Sequence, residues 1–146
     1  MTIPFQGGSP LLTAVLGSQI EMGTDNLPSS LPLIRDGKIK AIAVTTLKRL
    51  PGAPEIPTVV ESGLAGYDVS GWAGLLGPAG LPADAVATLS ANVNAILARP
   101  EFTEKLLRIG AVPTGGSPED FRKFITAEIE KWSDVVRSNG VPKIQY

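Results

Sequence analysis

The sequence predicts an α/β fold, and two observations predict it. Segments that suit strands alternate with segments of helical periodicity in the order strand, helix, strand, helix, strand. The third of these strands, Ile39–Thr46, is apolar on both faces, which is typical of a parallel strand covered by helices on each side. The 146 residues are enough for one domain with a substantial core.

The first half of the chain carries most of this alternation. The predicted elements are a strand over Thr2–Phe5, a helix over Pro10–Gln19, a strand over Ile20–Thr24, a helix from Asp25-Asn26 to Ile34, and the strand Ile39–Thr46. Ser9 is a good N-cap for the first helix, and Pro10 suits its first turn. Gly37 is the expected C-cap of the second helix.

An irregular connection follows these elements. Pro51, Pro54 and Pro57 forbid continuous regular structure until Thr58 caps a short helix that ends at Gly63. The next run, Tyr67–Trp72, is expected to be extended.

The rest of the chain is predicted to be helical. Apolar residues recur at helical spacing over Pro82–Ala98 and Glu101–Ile109. A third helix starts after Ser117, where Pro118 and two acidic residues follow the N-cap, and it ends at Asn139-Gly140. Its apolar stripe includes Trp132, which is expected to pack in the core.

Composition excludes several classes of function. The chain has no histidine and no cysteine, so it lacks the usual general base, the usual nucleophile-activating partner and the commonest metal ligands. These absences disfavour an enzyme and predict neither a metal nor a cofactor. A net charge of −1 without a basic stripe disfavours nucleic-acid binding. No membrane-spanning segment or export signal is recognisable in the sequence.

Two clusters of polar residues follow neighbouring predicted strands. The first is Gln6-Gly7-Gly8-Ser9, and the second is Thr24-Asp25-Asn26. The carboxyl ends of parallel strands meet at one sheet edge, beside helix N-termini whose free N–H groups attract anions. The clusters therefore predict a site for an anionic ligand. The alternatives are a plain tight turn at the glycines and a helix-capping role for Asp25.

Six ordered motifs across the chain carry a resemblance to a known family. They are Ile3–Pro10, Asp25-Asn26 with Ser29 and Pro32, Ala43–Thr45 with Arg49, Pro57-Thr58 with Glu61, Gly63, Gly66 and Tyr67, Leu76–Pro82, and Gly110–Phe121. In this order they resemble the Bug family, the extracytoplasmic solute receptors of tripartite tricarboxylate transporters.

The resemblance implies a type II periplasmic binding protein fold, in which two α/β lobes close on a ligand, and it implies that the chain corresponds to the C-terminal half. Residues 1–66 would belong to the second lobe, 67–74 would form the hinge and crossing strand, and 75–146 would be the helical portion that packs on the first lobe. The ligand would contact a first loop made of Phe5, Gln6, Gly7, Gly8 and Ser9, and a second loop made of Thr24, Asp25 and Asn26. The hinge would centre on Ser70, Gly71 and Trp72.

The implied function is binding of a small carboxylate in the periplasm: a dicarboxylate, a tricarboxylate, an acidic amino acid or an aromatic acid. The implied partners are the membrane subunits of a tripartite transporter. Phe5 and Gln6 stand where the family more often has Tyr and Lys, so this chain lacks a hydroxyl and a cation at these two positions. The alternative function is a truncated, non-binding remnant or a self-associating structural module.

Overall fold

The computed structural model describes residues 3–140 of the chain. The helices in this range are α1 (Gly8–Leu16), α2 (Leu27–Arg35), α3 (Ala83–Leu97), α4 (Pro100–Arg108) and α5 (Pro118–Ser138). The five long predicted helices are confirmed, because every observed end lies within three residues of the predicted one. Across these described residues, no helix combines the length and the apolar character that a membrane crossing needs.

Local capping explains why several of these ends were predictable. At the start of α5, the Ser117 hydroxyl accepts from the Asp120 amide at 3.1 Å, and the Asp120 carboxylate accepts from the Ser117 amide at 3.0 Å. The bonds from the Ser117 side chain and backbone lower the pKa of Asp120. At the end of α2, Gly37 has a φ of +67°, and its amide donates to the carbonyl of Ile34 at 3.0 Å.

The strand predictions are wrong at the level of regular pairing. Residues 3–140 contain no strand in the predicted segments Thr2–Phe5, Ile20–Thr24, Ile39–Thr46 and Tyr67–Trp72, of which Thr2 lies outside the described residues. The pairing in this range is a single parallel bridge between Val44 and Thr58. Val69 is held beside Thr45 by two bonds, from the Val69 amide at 3.0 Å and from the Thr45 hydroxyl at 2.6 Å. A strand needs neighbours along its length to satisfy its backbone groups, and in residues 3–140 the strand-like bonds of these segments lie at Val44, Thr45 and Val69.

The short helix predicted over Thr58–Gly63 is also wrong, since this segment forms consecutive turns. Thr58 is 1% exposed, and its bridge to Val44 anchors it in the core. The predicted cap itself is present: the Glu61 amide donates to the Thr58 hydroxyl at 3.1 Å, and the Thr58 amide donates to the Glu61 carboxylate at 2.6 Å. Arg49 adds a bond from its Nε to the same carboxylate at 3.0 Å.

Glu61 is expected to make stability depend on pH. The backbone bond from Thr58 lowers the pKa of Glu61 below its usual value of 4.5, and Arg49 lowers it further. Because the folded pKa is the lower one, the stabilisation is complete above the unfolded pKa and is lost as pH falls through the folded pKa. Glu61→Gln should therefore lower the thermal midpoint at pH 7, and the difference from the unsubstituted chain should shrink below a pH of about 4.5.

Thermal unfolding followed by circular dichroism from pH 3 to 8 measures this dependence. Glu55→Gln is the matched control, because it removes the same group from the same segment but none of the bonds to Thr58. A constant difference across this pH range would contradict the assigned role of Glu61.

The described residues group into two compact units. Within residues 3–140, unit 1 runs up to Leu76 and includes Ala98–Pro113, and unit 2 is Gly77–Leu97 with the residues from Thr114 onward. The core of unit 1 is a cluster of buried side chains from α2, from the segment 39–46 and from the proline-rich connection, residues 50–57. These side chains are Leu31, Val44, Ala53 and Ile56, with Leu27, Ile34, Ala41 and Leu50 packed against them. The predicted division into residues 1–66, 67–74 and 75–146 stays a prediction, because packing within this chain does not identify lobes.

Arg35 joins α2 to the other segments of unit 1. Its guanidinium donates to the carbonyl of Arg108 at 2.7 Å and to the carbonyl of Gly52 at 2.8 Å. Arg108 is the last residue of α4, so the cation lies at the negative end of that helix. These bonds connect α4 to α2 within unit 1, whereas α3 and α5, the neighbours of α4 in the sequence, belong to unit 2.

Unit 2 contains α3 and α5, and its residues up to 140 form no buried apolar core. Asn94 on α3 exchanges two bonds of 2.9 Å with the backbone of Gly116, just before α5. Neither helix has a buried residue. Trp132 is 41% exposed, so the prediction that it packs in the core is wrong. Two helices alone cannot enclose side chains on all sides, and the apolar stripe of α5 is left partly in contact with solvent.

Candidate functional site

The start of α1 forms the first part of the candidate site. Gly7 is the N-cap with a φ of +99°, a conformation that favours glycine, and the helix begins at Gly8. The expected cap, Ser9, therefore lies inside the first turn rather than before it. Gly7 has no side chain to accept a hydrogen bond, so the amide N–H groups in the first turn of α1 lack a side-chain cap.

The start of α2 forms the second part. Asn26 is the N-cap, and its side chain makes no capping bond. Asp25 does not cap the helix; its Oδ2 accepts from the Ser29 hydroxyl at 2.6 Å. Sequence reasoning left Ser29 out of the predicted site, although its spacing of four residues from Asp25 was visible in the motif. This bond orients the Asp25 carboxylate.

These two helix starts lie against each other within unit 1. A Cβ atom on Gly8 would come within 2.5 Å of the Asp25 Oδ1, so the carboxylate occupies the space that any side chain at Gly8 would take. A Cβ on Gly23 would likewise lie 2.9 Å from the Leu11 side chain on α1. The loop before α2 therefore runs alongside α1, and the glycine at position 8 permits the approach.

The predicted hinge segment reaches the same place. A Cβ on Gly71 would lie 2.6 Å from the Asn26 side-chain oxygen, so the Asn26 amide rests directly on the Gly71 backbone. Beside it, the Ser70 hydroxyl donates to the Asp68 carboxylate at 3.2 Å. Trp72 is 48% exposed. Three predicted segments that are far apart in sequence thus meet around Asp25 and Asn26.

The other predicted residues surround this meeting point. Phe5 is half-buried, whereas Gln6, Ser9 and Thr24 are exposed. The carbonyl of Ser9 accepts from the Thr13 hydroxyl at 3.0 Å, an ordinary bond within α1. The site as a whole is an open surface of backbone and amide donors with one carboxylate. Within residues 3–140, no group of three or more acidic, histidine or cysteine residues is arranged to hold a metal ion.

A groove in unit 2 offers a different cavity. It measures about 620 Å³ and lies between α3 and the start of α5. Its lining is mostly small and apolar: Ala83, Val86, Ala87, Ser90, Ala91, Asn94, Gly116, Ser117 and Pro118. The side chains of Asn94 and Ser117 already bond within the protein. This groove contains no charged side chain and none of the predicted residues, so it is a poor site for an anion.

Sequence comparison finds relatives over nearly the whole chain. The family described as "Tripartite tricarboxylate transporter family receptor", TctC, matches residues 1–141. The chain is 33% identical over 135 residues to the UPF0065 protein in the tcbD-tcbE intergenic region of a Pseudomonas species, covering 92% of this chain and 40% of the relative. It is 30% identical over 138 residues to protein BugT of Bordetella pertussis, covering 94% of this chain and 42% of BugT. The chain spans about two fifths of the length of these curated relatives.

Comparison with solved structures finds neighbours that cover nearly the whole chain. A structure of R. palustris Rpa4515 with adipate superposes with a TM-score of 0.88 at 38% identity, covering 94% of this chain and 46% of that one. The periplasmic binding protein BugD has a TM-score of 0.87 at 34% identity, covering 99% and 49%. MatC of Rhodopseudomonas palustris with bound malate has a TM-score of 0.81 at 34% identity, covering 92% and 47%. The predicted class, an α/β fold like the type II periplasmic binding proteins, is confirmed by these neighbours, even though regular strands do not form in residues 3–140.

Proposed function

The chain belongs to the receptor family of tripartite tricarboxylate transporters, TctC, and from this premise we propose that it forms part of a periplasmic receptor that binds a small carboxylate. The family consists of receptors, which bind a solute and do not change its bonds. Two solved neighbours were obtained with adipate and malate, and both of these ligands are carboxylates. The class of ligand predicted from the sequence is the one these neighbours support.

The meeting of three segments at Asp25 and Asn26 is the observation that carries the proposal. The uncapped first turn of α1 offers amide N–H groups at the positive end of the helix dipole. The Asn26 side chain, which does not cap α2, offers an amide beside them. In this proposal a ligand carboxylate binds to these donors, with Phe5, Gln6 and Thr24 at the rim and Ser70, Gly71 and Trp72 as the hinge.

We expect this chain on its own to bind carboxylates only weakly. A helix terminus contributes about 0.3–2 kcal/mol to binding of an anion, so two such ends supply at most about 4 kcal/mol. Micromolar binding needs about 8 kcal/mol. Isothermal titration with succinate, adipate and glutamate should therefore give dissociation constants near or above about 1 mM.

The longer solved neighbour Rpa4515, titrated with adipate, is the positive control for this titration. Micromolar binding by the 146-residue chain would show that one open surface is sufficient and would contradict the weak-binding expectation. The absence of any binding up to about 50 mM, measured by a method that detects millimolar affinities, would count against the site itself.

The exposed apolar side chains of unit 2 suggest a second contact. α3 and α5 have no buried residue, and Leu89, Val93, Phe124 and Trp132 are each at least 37% exposed. We propose that in a complete receptor these faces pack on the other lobe, and that membrane subunits of a transporter engage the assembled protein. The alternative is a self-associating module that binds nothing. Sedimentation equilibrium and a titration with carboxylates separate the two. The alternative requires a stable oligomer in the first measurement and no spectral response to carboxylates in the second.

A further inference from the structure

Unit 2 presents a large apolar surface together with a groove that is also apolar. We propose that two copies of this chain pair through unit 2 around a two-fold axis. The second half of α5 of each copy is seated in the groove between α3 and the start of α5 of the other copy. This contact goes beyond ligand binding, and it concerns the 146-residue chain rather than a receptor in which another lobe covers the same helices.

The exposed apolar area of unit 2 is sufficient for a stable pair. Eight large apolar side chains of α3 and α5 are each at least 37% exposed: Leu89, Val93, Ile96, Phe124, Ile129, Trp132, Val135 and Val136. Since large side chains have a full area of about 150–250 Å², these eight expose about 700 Å² in each copy. Covering them in two copies buries about 1,400 Å², and stable, specific interfaces bury about 1,200–2,000 Å².

The groove offers a shape that large side chains fit. It has a volume of about 620 Å³, and on the α3 side it is lined by Ala83, Ala87 and Ala91 among other residues. Small side chains on one helix let the larger side chains of another helix pack between them. The large exposed side chains of unit 2 include Ile129 and Trp132, in the second half of α5.

A two-fold axis brings the groove and these side chains together. The groove lies at the start of α5, beside Ser117 and Pro118, whereas Ile129, Trp132 and Val136 lie in the second half of the helix. When the axis is perpendicular to α5, the two copies of the helix run antiparallel, so the end of each lies beside the start of the other. Each copy then offers one groove and fills one, and the contact closes at two copies.

Asn94 holds the two walls of the groove in place. Its side chain exchanges two bonds of 2.9 Å with the backbone of Gly116. A Cβ atom on Gly115 would lie 2.7 Å from the Asn94 Oδ1, so this loop is in direct contact with α3. The capping box of Ser117 and Asp120 then begins α5 directly after the loop. Because the groove is already formed, a second copy binds with little cost of ordering it.

The charges of unit 2 favour a second copy of the chain as the partner. In a two-fold contact, residues near the axis meet their own equivalents, so a surface with an excess of one charge repels its copy. Residues 85–98, which include most of α3, carry no charge. On α5, three basic side chains pair with acids three residues away: Arg122 with Glu119, Lys131 with Glu128, and Arg137 with Asp134. These surfaces therefore meet their own copy without strong repulsion.

Sedimentation of the chain at concentrations from about 1 to 200 µM tests for the pair. We expect a monomer–dimer equilibrium with a dissociation constant of about 10 µM or below, because interfaces of this area bind in the micromolar range or more tightly. Ile129→Glu places a charge in the contact twice per dimer and is expected to raise the dissociation constant by about 100-fold or more.

Ile42→Glu is the matched control for this substitution. It makes the same change at a side chain that is 71% exposed in unit 1, and Ile129 is 62% exposed, so both changes leave side-chain packing within the chain largely intact. The control should keep the dissociation constant within about twofold of that of the unsubstituted chain. Circular dichroism of both variants reports whether the helices are retained.

Introduced cysteines identify the surfaces that meet, because the chain has no cysteine of its own. In an equimolar mixture of Ala87→Cys and Val136→Cys, mild oxidation should link the two variants to each other more than either to itself. Mass spectrometry of the linked species measures this preference. Replacing Val136→Cys in the mixture by Ile42→Cys should remove the link.

Three outcomes would overturn the proposal. The first is a chain that stays monomeric up to about 200 µM, which would leave the faces of α3 and α5 to another lobe or another protein. The second is equal weakening of the dimer by Ile129→Glu and Ile42→Glu, and the third is a dimer in which positions 87 and 136 do not link. Titration of the same samples with carboxylates measures the proposed function separately.

Discussion

Replacement of Leu31 by alanine is expected to lower the free energy of unfolding by about 2–5 kcal/mol. Leu31 is 1% exposed and lies at the centre of the core of unit 1, in contact with the cluster of Val44, Ala53 and Ile56. The deletion removes apolar contacts and leaves a cavity that a core of this size cannot close. Because whole domains have a stability of only about 5–15 kcal/mol, this loss should populate the unfolded state of unit 1.

Urea unfolding followed by circular dichroism measures the change in Leu31→Ala. Leu75→Ala is the matched control, since it makes the same chemical change at a side chain that is 67% exposed in the same unit. If both variants lose the same stability, the core is not where the structure locates it. The effect should also reach the candidate site, because Leu31 lies on α2, whose first residues follow Asp25 and Asn26.

Gly52→Ala is expected to destabilise the fold by about 3 kcal/mol or more. A Cβ atom at Gly52 would lie 1.8 Å from the carbonyl oxygen of Leu107 and 2.9 Å from its carbonyl carbon. These are backbone atoms of α4, so no side-chain rotation relieves the overlap. The displacement would also separate the two carbonyls that Arg35 joins, at Gly52 and Arg108.

Gly77→Ala is the control for this substitution. Its Cβ would lie 3.1 Å from the end of the Leu81 side chain, which can rotate away, and Gly77 does not have a positive φ. There the alanine should be neutral or stabilise by a few tenths of a kcal/mol, because it restricts the unfolded chain. Equal thermal midpoints for Gly52→Ala and Gly77→Ala would contradict the close packing of α4 on the proline-rich connection.

The candidate site was predictable in composition but not in arrangement. The glycines and the Asp25-Asn26 pair were recognisable from motifs, and the Ser70-Gly71 segment was expected from the family resemblance. The structure brings these segments together in unit 1. The contacts of Asp25 with Gly8 and of Asn26 with Gly71 were not predictable, because they depend on how α1, α2 and the segment after Tyr67 pack. The N-cap of α1 was predicted at Ser9, but it is Gly7, whose φ is positive.

Sequence patterns were sufficient to predict the five helices and the family, and the composition shows that histidine and cysteine are absent. Helix ends depend on bonds between residues three or four apart, such as those of Ser117 with Asp120 and of Gly37 with Ile34. Three features became visible in the packing of residues 3–140: the parallel bridge is at Val44, Arg35 bonds α2 to the end of α4, and Trp132 is exposed. Strand pairing and burial require partners that are distant along the chain, and the periodicity of a short segment carries no information about whether those partners are present.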